Sequence, residues 1–196
     1  MAMARPIDPS TRPALLSAAH QLFYRHGIGP TSIDDVADAS GLTKPTLYRY
    51  FSSKQALVGA YLDERDAELA AELERRLQPV SPRRKPAAVI DWICDTLSDR
   101  RYNGCAFVRA VAEWPGEPGV RERARRRKRD LLAAITSACH EAGVKHPELL
   151  ARQLALIVEG ASTMVYVSGE RDATVQATRD LAHLALDQAG LGTARR

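Results

Sequence analysis

Residues 31–54 read TSIDDVADASGLTKPTLYRYFSSK, and this run leaves the backbone little choice. Thr31 or Ser32 can cap a short helix whose first turn holds Asp34 and Asp35, the charges favoured at a helix N-terminus. Ile33, Val36 and Ala37 give that helix one apolar face, and Gly41 stands where a left-handed residue ends it. A second helix follows at once. Thr43 is its N-cap and Pro45 lies in its first turn, where a missing N–H costs nothing. Leu42 and Leu47 are spaced as a hydrophobic staple, and Leu47 with Phe51 forms an i, i+4 buried seam. Two short helices across a tight glycine turn make a helix-turn-helix. Lys44, Thr46, Tyr48, Arg49 and Tyr50 are left on or beside the free face. Donors and aromatics near a helix N-terminus suit entry into a major groove. Ser52 and Gln55 read as a capping box for the next helix, with Lys54 at its positive end. Asp34 and Asp35 stand close to where a phosphate would lie, which weakens the electrostatics.

The rest of the chain reads as helix after helix. Apolar residues recur at three and four, as in Leu15, Ala19, Leu22, Phe23 and in Leu62, Leu69, Leu73, Leu77. No β-branched alternation is sustained, so no strands are expected. Helices are expected at about 12–27, 32–39, 43–51, 53–78, 86–101, 104–113, 118–142, 147–168 and 172–190, cut by Gly27, Pro30, Pro79, Pro86, Pro115, Gly143 and Pro147. The expected fold is all-α, about nine helices, with an N-terminal three-helix helix-turn-helix head and a C-terminal helical bundle that dimerises. A composition shift near residue 61 places the boundary. From Ala39 to Leu62 no acidic residue occurs, whereas Glu64, Glu68 and Glu72 then form one row. The expected domains are 1–60 for DNA binding and 61–196 for ligand binding and dimerisation.

Composition excludes several classes. Hydrophobic residues are 45% and charged residues 27%, a globular balance, and the net charge of +4 permits a nucleic-acid partner without demanding one. Three cysteines without a CxxC pair argue for a reducing compartment, so the expected location is cytoplasmic. The N-terminus MAMARPIDPSTRP has no apolar core of a signal peptide. The apolar run from Leu154 to Val167 contains Glu159 and is too short to span a bilayer, which needs about 20 residues. No membrane partner is expected.

The run G-L-T-K-P-T-L-Y-R-Y-F-x-S-K, with residues 31–62 around it and the first helix LLSAAHQLFYRHG before it, resembles the head of TetR/AcrR-type transcriptional regulators. The resemblance covers about a third of the chain. It implies an all-α homodimer on an inverted-repeat operator in double-stranded DNA, acting as a repressor released by a small effector. By the family pattern Lys44, Pro45, Thr46, Tyr48, Arg49 and Tyr50 line the recognition helix, and Thr31, Tyr48 and Lys54 match positions that hold phosphates. Ser32 and Thr43, the caps, complete the expected DNA-binding set.

Other constellations carry less. Seven cations between Arg121 and Arg129 read as a solvated face, with partner acids on neighbouring helices. No GxSxG, P-loop or GxGxxG occurs, so no enzyme and no cofactor is expected. Cys139, His140 and His146 are poorly spaced for a metal, and Cys94 with Cys105 reads as two lone thiols more readily than as a redox pair. Helix 147–168 is apolar nearly all round and needs cover on every side, which with helix 172–190 points to a four-helix interface between two copies. For an effector, Trp92, Phe107, Trp114, Met164 and Tyr166 supply large apolar surface, and Arg109, Glu113 and Glu159 interrupt apolar helices and can orient a ligand. The alternatives are a helical small-molecule-binding protein or enzyme that retains the head, an activator, or an architectural DNA binder using the 121–129 run.

Overall fold

The structure is a computed structural model and describes residues 8–192. The leader reading therefore falls partly on residues 1–7, outside the described residues. Among the described residues the chain forms α1 (Thr11–His26), α2 (Ile33–Ala39), α3 (Lys44–Tyr50), α4 (Lys54–Leu77), α5 (Lys85–Ser98), α6 (Ala106–Glu113), α7 (Pro118–Glu141), α8 (Pro147–Ser168) and α9 (Arg171–Gln188), with no strand. The all-helical reading holds, with edges moved by a few residues. A 3-10 turn, Pro82–Arg84, precedes α5 and went unforeseen. It closes with Arg84 N donating to Ser81 O at 2.9 Å, a tighter turn than the α-helical spacing. None of these helices is long and apolar enough to cross a membrane.

The contacts gather into two units. One joins the N-terminal segment up to Arg65 with Ala106–Ala124, and the other joins Asp66–Cys105 with the chain from Arg125 onward. The changeover lies inside α4 and inside α7. Segment 106–124 groups with the head because its side chains reach the α1–α2 turn, as detailed below. Long-range partners of this kind leave no local sequence signature.

The first unit closes on Leu15, Leu16, Ala19, Phe23, Val36, Leu47, Leu57, Val58 and Leu62, all nearly or wholly inaccessible. Phe23 and His20 meet the Tyr61 ring with centroids 5.5 and 5.6 Å apart. In the second unit α5, α8 and α9 pack on one another around Val89, Ile90, Trp92, Leu97, Ile135, Leu154 and Val158. The face of α8 carrying Leu150, Ala151, Leu154, Val158, Ala161 and Val165 is buried there. Its opposite face is apolar but exposed: Leu156 is 69% and Val167 75% accessible.

Truncating Leu47, which is fully buried between α3 and the rest of the head, removes transfer energy and leaves a cavity. Leu47→Ala is expected to destabilise the protein by about 2–5 kcal/mol, read as an earlier thermal or urea transition.

Candidate nucleic-acid interface

The candidate interface rests on two capped helices. The α2 N-cap is Ser32, not Thr31: Asp35 N donates to Ser32 Oγ at 3.0 Å while Ser32 N donates to Asp35 Oδ2 at 2.7 Å, a full capping box. Those bonds to the charged carboxylate, first the backbone one, hold Asp35 below its usual pKa. Gly41 then takes φ +69°, and Leu42 N donates to Ala37 O at 3.0 Å, closing the turn. Thr43 caps α3, its hydroxyl accepting from Thr46 N at 3.3 Å and meeting Thr46 Oγ1 at 2.9 Å. The expected capping box of Ser52 and Gln55 is corrected. Ser53 Oγ accepts from Ala56 N at 3.1 Å, so the cap of α4 lies one residue later. Three polar residues, Ser52, Ser53 and Lys54, stand in a row there, and only the backbone turn after Phe51 decides which one caps.

This geometry sorts the named side chains. Leu47 and Phe51 turn inward. Ser32, Thr43, Lys44, Pro45, Tyr48 and Arg49 are exposed, with Tyr48 at 45% accessible although it is a large aromatic. Thr46 and Tyr50 are half-buried, and Tyr50 Oη donates to Asp8 O at 3.2 Å. Lys44 Nζ lies 3.0 Å from the Asp34 carboxylate, which raises the Lys44 pKa above its usual value. Thr31 is buried, its hydroxyl donating to Gly27 O at 2.7 Å, so its side chain is committed to the α1–α2 turn. Lys54 Nζ donates to Gly29 O at 3.1 Å and lies 5.4 Å from the Trp114 ring centre. Partial burial lowers its pKa, against the opposing pull of Glu113 and Asp35.

The α1–α2 turn is held from α6. Glu113 Oε2 accepts the backbone N–H of Ile28 and, at 2.9 Å, that of Gly29. Arg109 Nη1 donates to Tyr24 O at 2.7 Å and its guanidinium stands 3.8 Å from Glu113. Gly27 has φ +96°, an angle that favours glycine, and a Cβ there would crowd Glu113 Oε2 at 3.0 Å. Sequence reasoning took Arg109 and Glu113 as ligand-orienting groups. The structure places both on the backbone of this turn, and a lone acid 84 residues away in sequence gives no local hint of that.

The eight effector candidates do not come together within either unit. Phe107, Arg109, Glu113 and Trp114 belong to the first unit. A small cavity there is lined by Phe23, Tyr24, Ile28, Tyr61, Ala106, Arg109, Ala110 and Glu113, and so takes in two of them. Trp92, Glu159, Met164 and Tyr166 belong to the second unit. Trp92 is buried in its core, Glu159 pairs with Lys128, and Met164 and Tyr166 are about half exposed.

Partners for the 121–129 run also emerge. In the first unit Arg123 grips both oxygens of Asp63 at 3.0 and 2.9 Å. In the second, Asp66 faces Arg126 at 3.6 Å and the buried Arg127 at 3.7 Å. Cys94, Cys105 and Cys139 are free thiols, and burial pushes Cys139 up to about 11. His140 pairs with Glu148 at 3.1 Å.

Helix order, caps and outward side chains define a helix-turn-helix protein. Residues 15–61 match the family described as bacterial regulatory proteins, tetR family. A probable HTH-type transcriptional regulator ArpR from Pseudomonas putida is 36% identical over 114 residues, covering 53% of this chain and 54% of that protein. The HTH-type transcriptional repressor ComR of Escherichia coli is 41% identical over 66 residues, 34% of this chain and 31% of that protein. The chain thus spans about half the length, or less, of these two relatives. The crystal structure of a TetR-family transcriptional regulator from Streptomyces coelicolor superposes with a TM-score of 0.84 at 26% identity, covering 91% of this chain and 95% of that one. Residues 15–61 thus match a tetR-family segment, and the chain as a whole is similar in fold to a TetR-family regulator.

Two outcomes test the geometry. Glu113→Ala strands two backbone N–H groups and is expected to cost about 1–3 kcal/mol, whereas a Ser32→Ala change should act mainly through the cap. Because the Asp35 pKa is lowered in the folded state, its contribution is present above the ordinary carboxylate value and is lost as pH falls through the lowered one. The gap in melting temperature between wild type and Ser32→Ala should therefore narrow on acidification.

Proposed function

We propose that the protein is a ligand-responsive, homodimeric transcriptional regulator that binds a palindromic operator and represses until a small, largely apolar effector releases it. The observation that carries the reading is α3. It buries Leu47 and turns Lys44, Pro45, Tyr48 and Arg49 to solvent from a rigidly capped start. Phosphate contacts would fix register and the exposed side chains of residues 44–50 would read base edges. Lys54 would serve at the phosphate backbone after leaving Gly29 O, and Ser32, Thr43, Thr46 and Tyr50 would flank the contact. Thr31 would act through the turn it closes.

Two copies would place two such helices in successive major grooves, about 34 Å apart on one face of the duplex. The exposed apolar residues Leu149, Leu156, Met164 and Val167 on α8, with Leu181 and Leu184 on α9, support pairing through these helices. Domain 1–60 would bind DNA and domain 61–196 would bind effector and partner copy, with a cytoplasmic location. The effector half of the proposal rests on the TetR/AcrR type and on the aromatic and apolar character of Trp92, Phe107, Trp114, Met164 and Tyr166. Arg109, Glu113 and Glu159 would contribute polar contacts only by giving up the partners described above. Repression draws its support from the name of one relative, the repressor ComR.

Selection of duplexes from a random library by the purified protein tests this reading. One recovered palindrome is expected, and Tyr48→Ala should bind it at least several-fold more weakly with unchanged helicity. Enrichment of no sequence, also after unfolding and refolding to remove co-purified ligand, would overturn the reading. Sedimentation should give a dimer mass that Leu156→Glu reduces to the monomer, and a monomeric wild type would refute the pairing.

A further inference from the structure

The acids at the start of α2 need a physical account, because a carboxylate beside a phosphate-binding surface weakens binding. Asp35 has one: its carboxylate is engaged by the N-cap, through Ser32 N and Ser32 Oγ, both at 2.7 Å. Asp34 takes no part in that box. Its carboxylate reaches across the turn to α3 and accepts from Lys44 Nζ at 3.0 Å, with both side chains half or more exposed. Exposed pairs of this kind add little to stability. Lys44 is the first residue of the recognition helix, however, and among the cations of the motif Lys54 is already turned onto Gly29 O. The pair therefore neutralises the leading charge of the face that meets DNA.

Resting on the DNA-binding reading above, we propose that Asp34 is an affinity-tuning residue: by holding Lys44 it lowers the binding of phosphate on any duplex. The first helix of a helix-turn-helix crosses the phosphate backbone and the start of the second approaches base edges. On random DNA two arrangements are open. If Lys44 stays on Asp34, the pair is neutral and releases no counterion. If Lys44 moves to a phosphate, Asp34 is left as a bare anion beside the backbone. Either way one phosphate contact per head loses its value, and such contacts supply essentially all of non-specific affinity. On the cognate site Lys44 can exchange Asp34 for a base-edge acceptor, but freeing it costs the same pair.

The test uses the full chain with two probes, the palindrome recovered by selection and a random-sequence duplex, titrated over a range of salt. Asp34→Asn keeps the shape and removes the charge. It is expected to tighten binding to random duplex by about three- to tenfold and to steepen the salt slope by about one unit per head. The palindrome should gain at least as much, because freeing Lys44 costs the same pair there. In a Lys44→Ala background the same change should give a clearly smaller gain on random duplex, from relief of repulsion alone. No gain on random duplex, or a loss, would overturn the assignment. A full gain persisting without Lys44 would also overturn it, because Asp34 would then act by direct repulsion. Wild-type protein that binds neither probe would instead refute the DNA-binding reading, and a matching melting temperature for Asp34→Asn separates these outcomes from misfolding.

Discussion

One carboxylate does much to set the geometry of the head. Glu113 receives the N–H groups of Ile28 and Gly29 at the point where α1 has ended and α2 has not begun. Those donors have no helical partner, and a buried donor left unsatisfied costs more than a formed hydrogen bond returns. The turn is further tied by Thr31 onto Gly27 O, Arg109 onto Tyr24 O and Lys54 onto Gly29 O. Helix α2 starts from that turn, and α3 starts from α2. The direction in which Tyr48 and Arg49 point is set by this chain of caps and turns rather than by any contact of their own.

Charge is arranged with similar economy. The cations of α7 look, as a string of letters, like a surface for a polyanion. In space Arg123 is committed to Asp63, while Arg126 and Arg127 face Asp66, acids that α4 supplies one turn apart. Arg127 is buried, and the Asp66 carboxylate 3.7 Å away offsets part of the cost of burying its charge. Here the basic run is structural on the α4 side.

Much of the fold was legible because it is local. Caps, glycine turns and i, i+4 seams lie within a few residues of one another, so 31–51 could be read almost bond by bond. The misplaced cap of α4 shows the limit, since Ser52 and Ser53 are chemically equal and differ only in backbone angles after Phe51. The apolar residues of α8 were also visible. Periodicity showed that both faces are apolar, whereas the division into a buried face with Leu154 and Val158 and an exposed one with Leu156 and Val167 depends on where α5 and α9 pack.

By itself, then, the sequence determined the all-helical architecture, the helix-turn-helix register and the outward set on α3, because hydrogen bonding and side-chain period within a single helix settle them. Tertiary structure alone decided which distant group satisfies which polar atom. It put Glu113 and Arg109 on the α1–α2 turn, Thr31 inside that turn, and Asp66 opposite Arg127. It also distributed the eight effector candidates over two units. These pairings join residues tens of positions apart, and only close packing in three dimensions selects among the many acids, cations and aromatics that could have met.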